Sequence, residues 1–432
     1  MKRELELLRE AMRERGTDVY LLTMDDDHQS EYVGPYYKEL RFISGFTGSA
    51  GKLVVTHDDA GLWTDGRYFV QAERELSGSG IRLMPMGQPG TPDIVSYIVD
   101  ALPKEGRLGM NGRTVSLSEV RKLREAIAEK RGQLLMDMDL PGTFWTDRPA
   151  RQLNSCFMLS EGCYGSTAGE KLERLRLRMR ELNAESHVIA SLDDIAWLLN
   201  LRGSDIPYNP VFMSFMLIER DRVRLYMDER HLTPEIRDYL CELGIELITD
   251  EEQLYIDLGS LSCNSMLLDP ARVNGAIGEA LPEDMRLIEQ RNPSTLMKNL
   301  KDPAEMKALK RAHVKDGLAL TRFMRYFKEQ VSSGQLTECS LVDKIHELRA
   351  MGDGFLGESF ETISAYGENA AMCHYSPAPD HDRVVEAHGL YLLDSGGQYT
   401  EGTTDVTRTF VCGPLTEEER TSFTLTVMAC LR

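Results

Sequence analysis

The alternation of hydrophobic and polar residues divides the chain into three successive segments. In the first, residues 1–155, an amphipathic pattern predicts a helix over residues 3–15, followed by the apolar strand DVYLLT and the strand-like runs GKLVVT and LWTDGRYFV. Segments with the hydrophobic spacing of a helix alternate with segments that have the spacing of a strand. This alternation predicts an α/β layer domain. Residues 139–152 contain prolines and a glycine and predict a linker in which Trp145 is a packed anchor.

The second segment, residues 156–300, repeats the order of the first. KLERLRLRMRELNAESHVIA corresponds to the opening helix and strand, LLNLRGSDI to FISGFTGSAG, and VRLYMDERHL to GLWTDGRYFV. A shared order of elements predicts a duplicated domain. The alternative is that two ordinary α/β units merely look alike.

The third segment, residues 301–432, begins with a strong helix start in which Asp302 is the N-cap, Pro303 is the first helical residue and Glu305 completes a capping box. A second helix, TECSLVDKIHELRAM, is followed by four strand-like runs. These are FETISAYG, AAMCHYSP, GLYLLDSGG and TTDVTRTFVCG, after which a last helix is capped by Thr416. Helices followed by a mostly antiparallel sheet predict an α+β domain.

The amino-acid composition limits which kinds of function and which cellular compartment are expected. The 50 basic and 69 acidic residues give a net charge of −19, which opposes binding to nucleic acid or to anionic membranes. The chain has no apolar run of ~18 residues that could span a membrane. Its eight cysteines are scattered and form no CxxC pair, which is typical of a reducing compartment. With no apolar signal-peptide core near the N-terminus, we expect a cytoplasmic protein.

Several short motifs are better explained by structure than by chemistry. GDGFLG (352–357) matches a dinucleotide fingerprint, but a helix precedes it and a strand follows it, so a helix-to-strand turn is favoured. DDDH (25–28) predicts a solvated loop, because no EF-hand spacing follows it. His381 and His388 are expected in a solvated loop at the entry to a strand.

Cys373 and His374 are neighbours in NAAMCHYSP, where a strand is predicted. Adjacent residues of a strand point to opposite faces, so a thiol–imidazole dyad is excluded there and Cys373 is expected in the core. On its own pattern, His374 is more typical of a structural histidine.

The run LLDSGGQYTEGTTDVTRTF (392–410) carries Asp394 and Asp405 on two strand-like stretches, joined by turn residues. In the second strand, Asp405 shares a face with Thr407 and Thr409. If Asp394 points the same way, the two carboxylates repel unless one is protonated or a cation lies between them. Oxygen ligands suit a divalent ion such as Mn²⁺. A surface hairpin with incidental aspartates explains the periodicity equally well.

LLDSGGQYTEGTTDVTRTF closely resembles the first metal-binding motif of the Xaa-Pro aminopeptidase (aminopeptidase P) family, which belongs to the pita-bread metallopeptidases. FISGFTGSAG and LWTDGRYF resemble the family's creatinase-like N-terminal domain, and LLNLRGSDIPYNPV its second, related domain. FETISAYGENAAMCHYSP resembles the strand region before the metal motif. The resemblance covers the whole chain and implies the three-domain form of the family.

The resemblance implies a dinuclear site, expected to hold Mn²⁺, with five side-chain ligands. Asp394 matches the first aspartate, Asp405 the second, bridging one, and His374 the histidine that contacts the substrate. It implies release of the N-terminal residue from peptides with proline in second position, by attack of a metal-bridging hydroxide. Family members often form homodimers. An arginine near FISGF serves the neighbouring subunit's site in the family, but the register does not assign that role to Arg41.

The chain departs from the family pattern after Asp405, where it has no histidine and where its acids are Glu417, Glu418 and Glu419 at a helix start. The family's other three ligands, one histidine and two glutamates, are therefore not matched. We expect a chain truncated at the C-terminus, with an incomplete pita-bread domain. The alternative is a binding or regulatory homologue without a working site. A creatinase-like hydrolase without metal is disfavoured, because both Asp394 and Asp405 are present.

Overall fold

A computed structural model describes residues 2–432, which divide into two compact units. The first unit extends to Leu159 and includes Ser166–Lys301, and the second comprises Ser160–Gly165 and Asp302–Arg432. The first two predicted segments thus fall within one unit. The boundaries predicted between them, at 155 and 156, stay a prediction.

The first unit begins with an α/β repeat built on a six-stranded sheet. Its helices are α1 (Arg3–Arg15), α2 (Glu39–Ser44), α3 (Phe69–Glu75), α4 (Ile94–Ala101) and α5 (Leu117–Ala128). Its strands are β1 (Val19–Leu22), β2 (Lys52–Thr56), β3 (Ala60–Thr64), β4 (Arg82–Pro85), β5 (Arg107–Met110) and β6 (Gln133–Leu135). The strand order is β4-β3-β2-β1-β5-β6, and β2 runs against its two neighbours. Helices that cover the apolar strands produce this layered core.

A second α/β repeat in the same unit has the same topology. After β7 (Phe157–Met158), its helices are α6 (Ala168–Glu181), α7 (Leu192–Leu199), α8 (Pro234–Glu242), α9 (Gln253–Gly259), α10 (Gly275–Ala280) and α11 (Pro293–Asn299). Its strands are β8 (Ser186–Ile189), β9 (Leu201–Arg202), β10 (Phe215–Glu219), β11 (Val223–Tyr226), β12 (Ile245–Ile248), β13 (Ser265–Leu268) and β14 (Arg286–Glu289). The order β12-β11-β10-β8-β13-β14 reproduces the first sheet pair by pair, so the predicted duplication is confirmed.

The DDDH segment follows β1 and packs against the second repeat with Asp26 and His28 buried, so its prediction as a solvated loop is wrong. Asp26 and His28 are 0% and 1% exposed. His28 Nδ1 donates to the carbonyl of Ala190 in the second repeat (3.0 Å), and its ring lies 4.2 Å from that of Phe215. The sequence showed only polar residues after a strand, and the neighbouring repeat that covers them is distant in the chain.

The linker predicted at 139–152 is confirmed in its packed anchor. The indole of Trp145 stacks on Phe42, with ring centroids 4.4 Å apart and an interplanar angle of 6°. Arg148 pairs with Glu39 (2.5 Å) and Asp139 (2.6 Å) and lies over the ring of Tyr36. These contacts fix the segment to the first repeat.

The second unit packs long helices on one face of a small antiparallel sheet. Its helices are α12 (Pro303–Gln330), α13 (Glu338–Ala350) and α14 (Glu417–Cys430). Its strands are β15 (Phe355–Glu358), β16 (Ile363–Tyr366), β17 (Leu390–Ser395), β18 (Gly397–Tyr399), β19 (Gly402–Thr403) and β20 (Val406–Val411). Strands β16, β17 and β20 form one sheet in that order, and its Tyr391, Leu393 and Phe410 pack in one core with Phe323 and Phe327 of α12.

Local sequence signals predicted most of the element starts in the second unit. Two predictions were wrong: the strand over AAMCHYSP and the core position of Cys373. The capping boxes at Asp302 and at Thr416 are present, and GDGFLG forms the turn after α13 and the start of β15. AAMCHYSP is not a strand: a 3₁₀ helix covers Gly367–Ala371 and His374 lies in a turn. Cys373 is exposed rather than in the core, because this segment does not pair with the sheet.

In the first unit, the run LWTDGRYFV is also not one strand. β3 ends at Thr64 and α3 begins at Phe69. All eight cysteines are free. Within residues 2–432, no helix combines the length and the apolar character needed to cross a membrane.

We predict that Asp26 makes the stability of the first unit depend on pH. Burial raises the pKa of Asp26 to about 7, above that of an unfolded aspartate. The folded chain therefore holds a proton that the unfolded chain has lost, so the free energy of unfolding falls between about pH 4 and 7. Asp26→Asn should reduce this slope, to which the raised pKa values of Asp25 and Glu39 also contribute.

The measurement is urea unfolding at several pH values. Unfolding is monitored by the fluorescence of Trp63, Trp145 and Trp197, which all lie in the first unit. The control is Asp58→Asn, at an exposed position. Equal pH slopes for wild type and Asp26→Asn would contradict the prediction.

Candidate metal centre

The candidate centre is built on the antiparallel pair β17 and β20. Their register places Asp394 directly opposite Thr407 and Ser395 opposite Val406. The predicted hairpin is thus confirmed, but its predicted turn GGQYTEG contains an inner hairpin, β18 with β19. β18 pairs on its other side with β15, which gives the inner strands a partner that the local sequence does not show.

Asp394 and Asp405 lie on the same face of this pair. Directly opposite residues of antiparallel strands point to the same side, and side chains two apart on one strand do so as well. Asp405 was predicted within the second strand but lies directly before β20, two positions before Thr407, which faces Asp394. Desolvation and the charge of Asp394 raise the pKa of Asp405, as expected for neighbouring carboxylates.

The two carboxylates fit a divalent cation. Asp394 Oδ1 is buried and accepts no hydrogen bond, although buried oxygens are normally satisfied. An unsatisfied carboxylate oxygen next to a second carboxylate is stabilised by a hard cation, which carboxylate ligands favour. Across the part of the chain that the structure describes, no group of three or more His, Cys, Asp or Glu side chains could hold a metal ion. The pair by itself offers at most two ligands, and the ligand roles of Asp394 and Asp405 stay predictions.

Gly396 permits the close approach of the chain beside both aspartates. A Cβ at this position would lie 2.1 Å from the carbonyl oxygen of Thr404 and 2.2 Å from Ser359 Oγ. Both distances are far below contact distance, so a side chain here would displace Thr404, the residue before Asp405.

A buried ion-pair network holds the strand that carries Asp394. Arg349 of α13 is 0% exposed and donates to Asp316 Oδ1 (2.7 Å), Glu358 Oε2 (2.9 Å) and Ser395 Oγ (3.0 Å). Tyr399 donates to the same Asp316 oxygen at 3.1 Å. The guanidinium thus ties two helices to β15 and β17, and Asp316 connects them to β18 through Tyr399.

His374 lies in an exposed turn before the buried Tyr375. The ring of Tyr375 belongs to a small apolar cluster with Ile363 and Ala365. Ile363 is the register partner of Asp394, so this cluster lies on the face of the sheet that carries the two aspartates. The structure thus brings Asp394 and Asp405 together, and it places the segment that carries His374 on the same face.

Comparison with known proteins assigns three family domains along the chain. Creatinase/Prolidase N-terminal domains match residues 4–141 and 147–305, and Metallopeptidase family M24 matches residues 307–432. "Aminopeptidase P2" of Arabidopsis thaliana is 36% identical over 95% of this chain and 62% of its own length. "Probable Xaa-Pro aminopeptidase P" of Pyricularia oryzae is 37% identical over 97% of this chain and 70% of its own length.

A solved structure of X-prolyl aminopeptidase from Caenorhabditis elegans has a TM-score of 0.92 and 32% identity. The match covers 96% of this chain and 70% of that chain. The chain belongs to the Xaa-Pro aminopeptidase family. The predicted architecture of two creatinase-like domains before a pita-bread metallopeptidase domain is thereby confirmed.

The chain spans 62% to 66% of the length of the first three curated Xaa-Pro aminopeptidases that it matches. Those relatives match 95% to 97% of this chain. The expected truncation, and the alternative of a binding or regulatory homologue, stay predictions. The roles assigned to His374, Asp394 and Asp405 stay predictions.

The Arg349 network was not predicted from the sequence. The signal was present in α13, where Leu341, Ile345 and Arg349 recur at the helical spacing and all three are buried. A charged residue in an apolar stripe indicates a buried partner, but the sequence could not identify Asp316, 33 positions away.

We predict that Arg349→Met destabilises the second unit by about 3–5 kcal/mol, because it leaves Asp316 and Glu358 without their buried partner. Hydrogen exchange of α12 and α13, measured by mass spectrometry, reports this local free energy. The control Arg325→Met removes an exposed i,i+4 pair with Glu329 and should change exchange little. Equal effects of the two substitutions would refute a structural role for the network.

Proposed function

We propose that this chain carries the activity of an Xaa-Pro aminopeptidase, releasing the N-terminal residue from peptides with proline in second position. The observation that carries the proposal is the convergence of Asp394 and Asp405 on one face of β17 and β20, in a chain of this family. The peptide substrates follow from the names of its relatives.

Asp394 and Asp405 would supply two of the ligands of two divalent metal ions, for which we propose Mn²⁺. The C. elegans relative is described as having a di-nuclear active site, which supports two ions. When bound, such ions supply a nucleophile from water at neutral pH and polarise the peptide carbonyl. The carboxylates contribute negative charge that keeps the cations at the sheet, while Gly396 and Arg349 fix the strand beneath them.

His374 would act on the substrate rather than on the metal. We propose that its imidazole N–H donates to the oxygen of the scissile carbonyl, where negative charge develops during attack. The exposure of His374 supports this role, since a substrate-facing donor must be accessible. The free N-terminus of the peptide, a cation, would be attracted by the two carboxylates.

We propose a cytoplasmic location, because the C. elegans relative is described as a cytosolic enzyme and all eight cysteines are free. Homodimer formation, expected from the family, stays a prediction.

We predict that Mn²⁺ raises the melting temperature of this chain through Asp394. Binding to the folded state alone stabilises it by mass action, and one lost carboxylate weakens that binding. Asp394→Asn should therefore reduce the shift measured by differential scanning calorimetry with increasing Mn²⁺. Asp343→Asn, at an exposed position of α13, is the control and should keep the shift. A shift equal in all three proteins would refute the assignment of Asp394.

We predict Mn²⁺-dependent release of alanine from Ala-Pro-Ala and not from Ala-Ala-Ala. His374→Ala should lower kcat roughly 100-fold, because a donor to the developing oxyanion is lost. Release of the N-terminal residue is measured by chromatography, with Asp343→Asn as the matched control. Cleavage of both peptides at similar rates would contradict the proposed specificity.

A further inference from the structure

Glu338, the first residue of α13, is a fully buried carboxylate at 0% exposure. Tyr366 N donates to its Oε1 (2.6 Å) and the hydroxyl of Tyr375 donates to its Oε2 (2.6 Å). The amide Nδ2 of Asn369 lies 3.1 Å from each oxygen. A buried carboxylate is stable only when hydrogen bonds replace its water, and here they do.

These three donors all belong to one short segment. Tyr366 ends β16, Asn369 lies in the 3₁₀ helix, and Tyr375 follows the turn that contains His374. Asn369 also donates to the hydroxyl of Tyr375 (3.0 Å). Glu338 therefore ties together the start, the middle and the end of segment 366–375.

The far end of this segment rests on the face that carries the two aspartates. The ring of Tyr375 packs in a cluster with Ile363 and Ala365, and Leu392 packs against that cluster. Ile363 lies opposite Asp394 in the register of β16 and β17. His374 directly precedes Tyr375, so the place of this ring limits the place of the imidazole.

A simpler explanation is that Glu338 stabilises the start of α13. An acid in the first turn of a helix interacts favourably with the helix dipole. That effect needs no burial and no partner outside the helix. The three donors to the Glu338 carboxylate come from segment 366–375, and the capping interaction of α13 is made by Thr337 and Ser340.

We propose that Glu338 is a positioning residue, whose buried carboxylate fixes segment 366–375 and thereby holds His374 over the face of Asp394 and Asp405. The catalytic part of this inference depends on the proposed function, whereas the effect on the segment does not. Glutamine cannot replace Glu338 fully, because its amide nitrogen donates and would face a donor.

The first test is hydrogen exchange of the full Glu338→Gln chain, measured by mass spectrometry. The amides of Met372 and Tyr375, which donate to Asn369 O and Met372 O, should exchange roughly 10- to 100-fold faster. Peptides from β1 and β8 should be unchanged. Glu347→Gln, an exposed acid on the same helix, is the matched control and should not alter exchange in 366–375. Unaltered exchange of this segment in Glu338→Gln overturns the proposal.

The second test is a double-mutant cycle on Ala-Pro-Ala with Mn²⁺. Glu338→Gln should lower kcat roughly 10- to 100-fold with little change in KM, because a misplaced donor acts in the transition state. In the His374→Ala background, Glu338→Gln should cause no further loss. An equal loss in both backgrounds overturns positioning through His374. If wild type does not cleave, the proposed function fails, while the exchange result still decides the role of Glu338.

If Glu338→Gln does not fold, Tyr375→Phe tests the same link. This substitution keeps the ring in its cluster and removes the hydroxyl that donates to Glu338. Exchange of Met372 and the kcat should then change in the same direction as predicted for Glu338→Gln. A variant indistinguishable from wild type in both measurements overturns the proposal.

Discussion

The antiparallel register of β17 and β20 is the constraint on which the candidate centre depends. Because side chains alternate across a sheet, a shift of one position would send Asp394 and Asp405 to opposite faces. The register is fixed between the two aspartates, where Gly396 packs directly against the backbone of Thr404 and no side chain would fit. On the opposite face, Tyr391 and Phe410 are packed against α12, so a slip would expose aromatic rings.

A buried network of charged side chains also stabilises this register. Arg349 connects Asp316 on α12 with Glu358 on β15 and Ser395 on β17, and it is fully buried. A buried ion pair adds little net stability relative to an apolar replacement, but an incomplete one is costly. Such a network therefore favours one arrangement of helices and strands, which is what a centre made from two strands requires.

Buried polar contacts also connect the two repeats of the first unit. Asp26 and His28 are buried at their junction, where His28 Nδ1 donates to the carbonyl of Ala190 in the second repeat. Leu117 N donates to Val273 O and Gly275 N to Val115 O, so backbone hydrogen bonds also connect the repeats. The duplicated sheets are thus joined through polar groups as well as through apolar packing.

Local patterns in the sequence determined most element types, the duplicated order and the family. The capping box at Asp302, the helix over residues 3–15 and the strand pair that carries Asp394 and Asp405 follow from short-range chemistry and periodicity. Family resemblance added the expected roles of His374, Asp394 and Asp405. Tertiary structure alone decided that DDDH is buried, that AAMCHYSP leaves the sheet, and that Arg349 and Glu338 have their particular partners. Burial and pairing depend on residues far apart in the chain, and local periodicity carries no information about which distant residue will cover a given side chain.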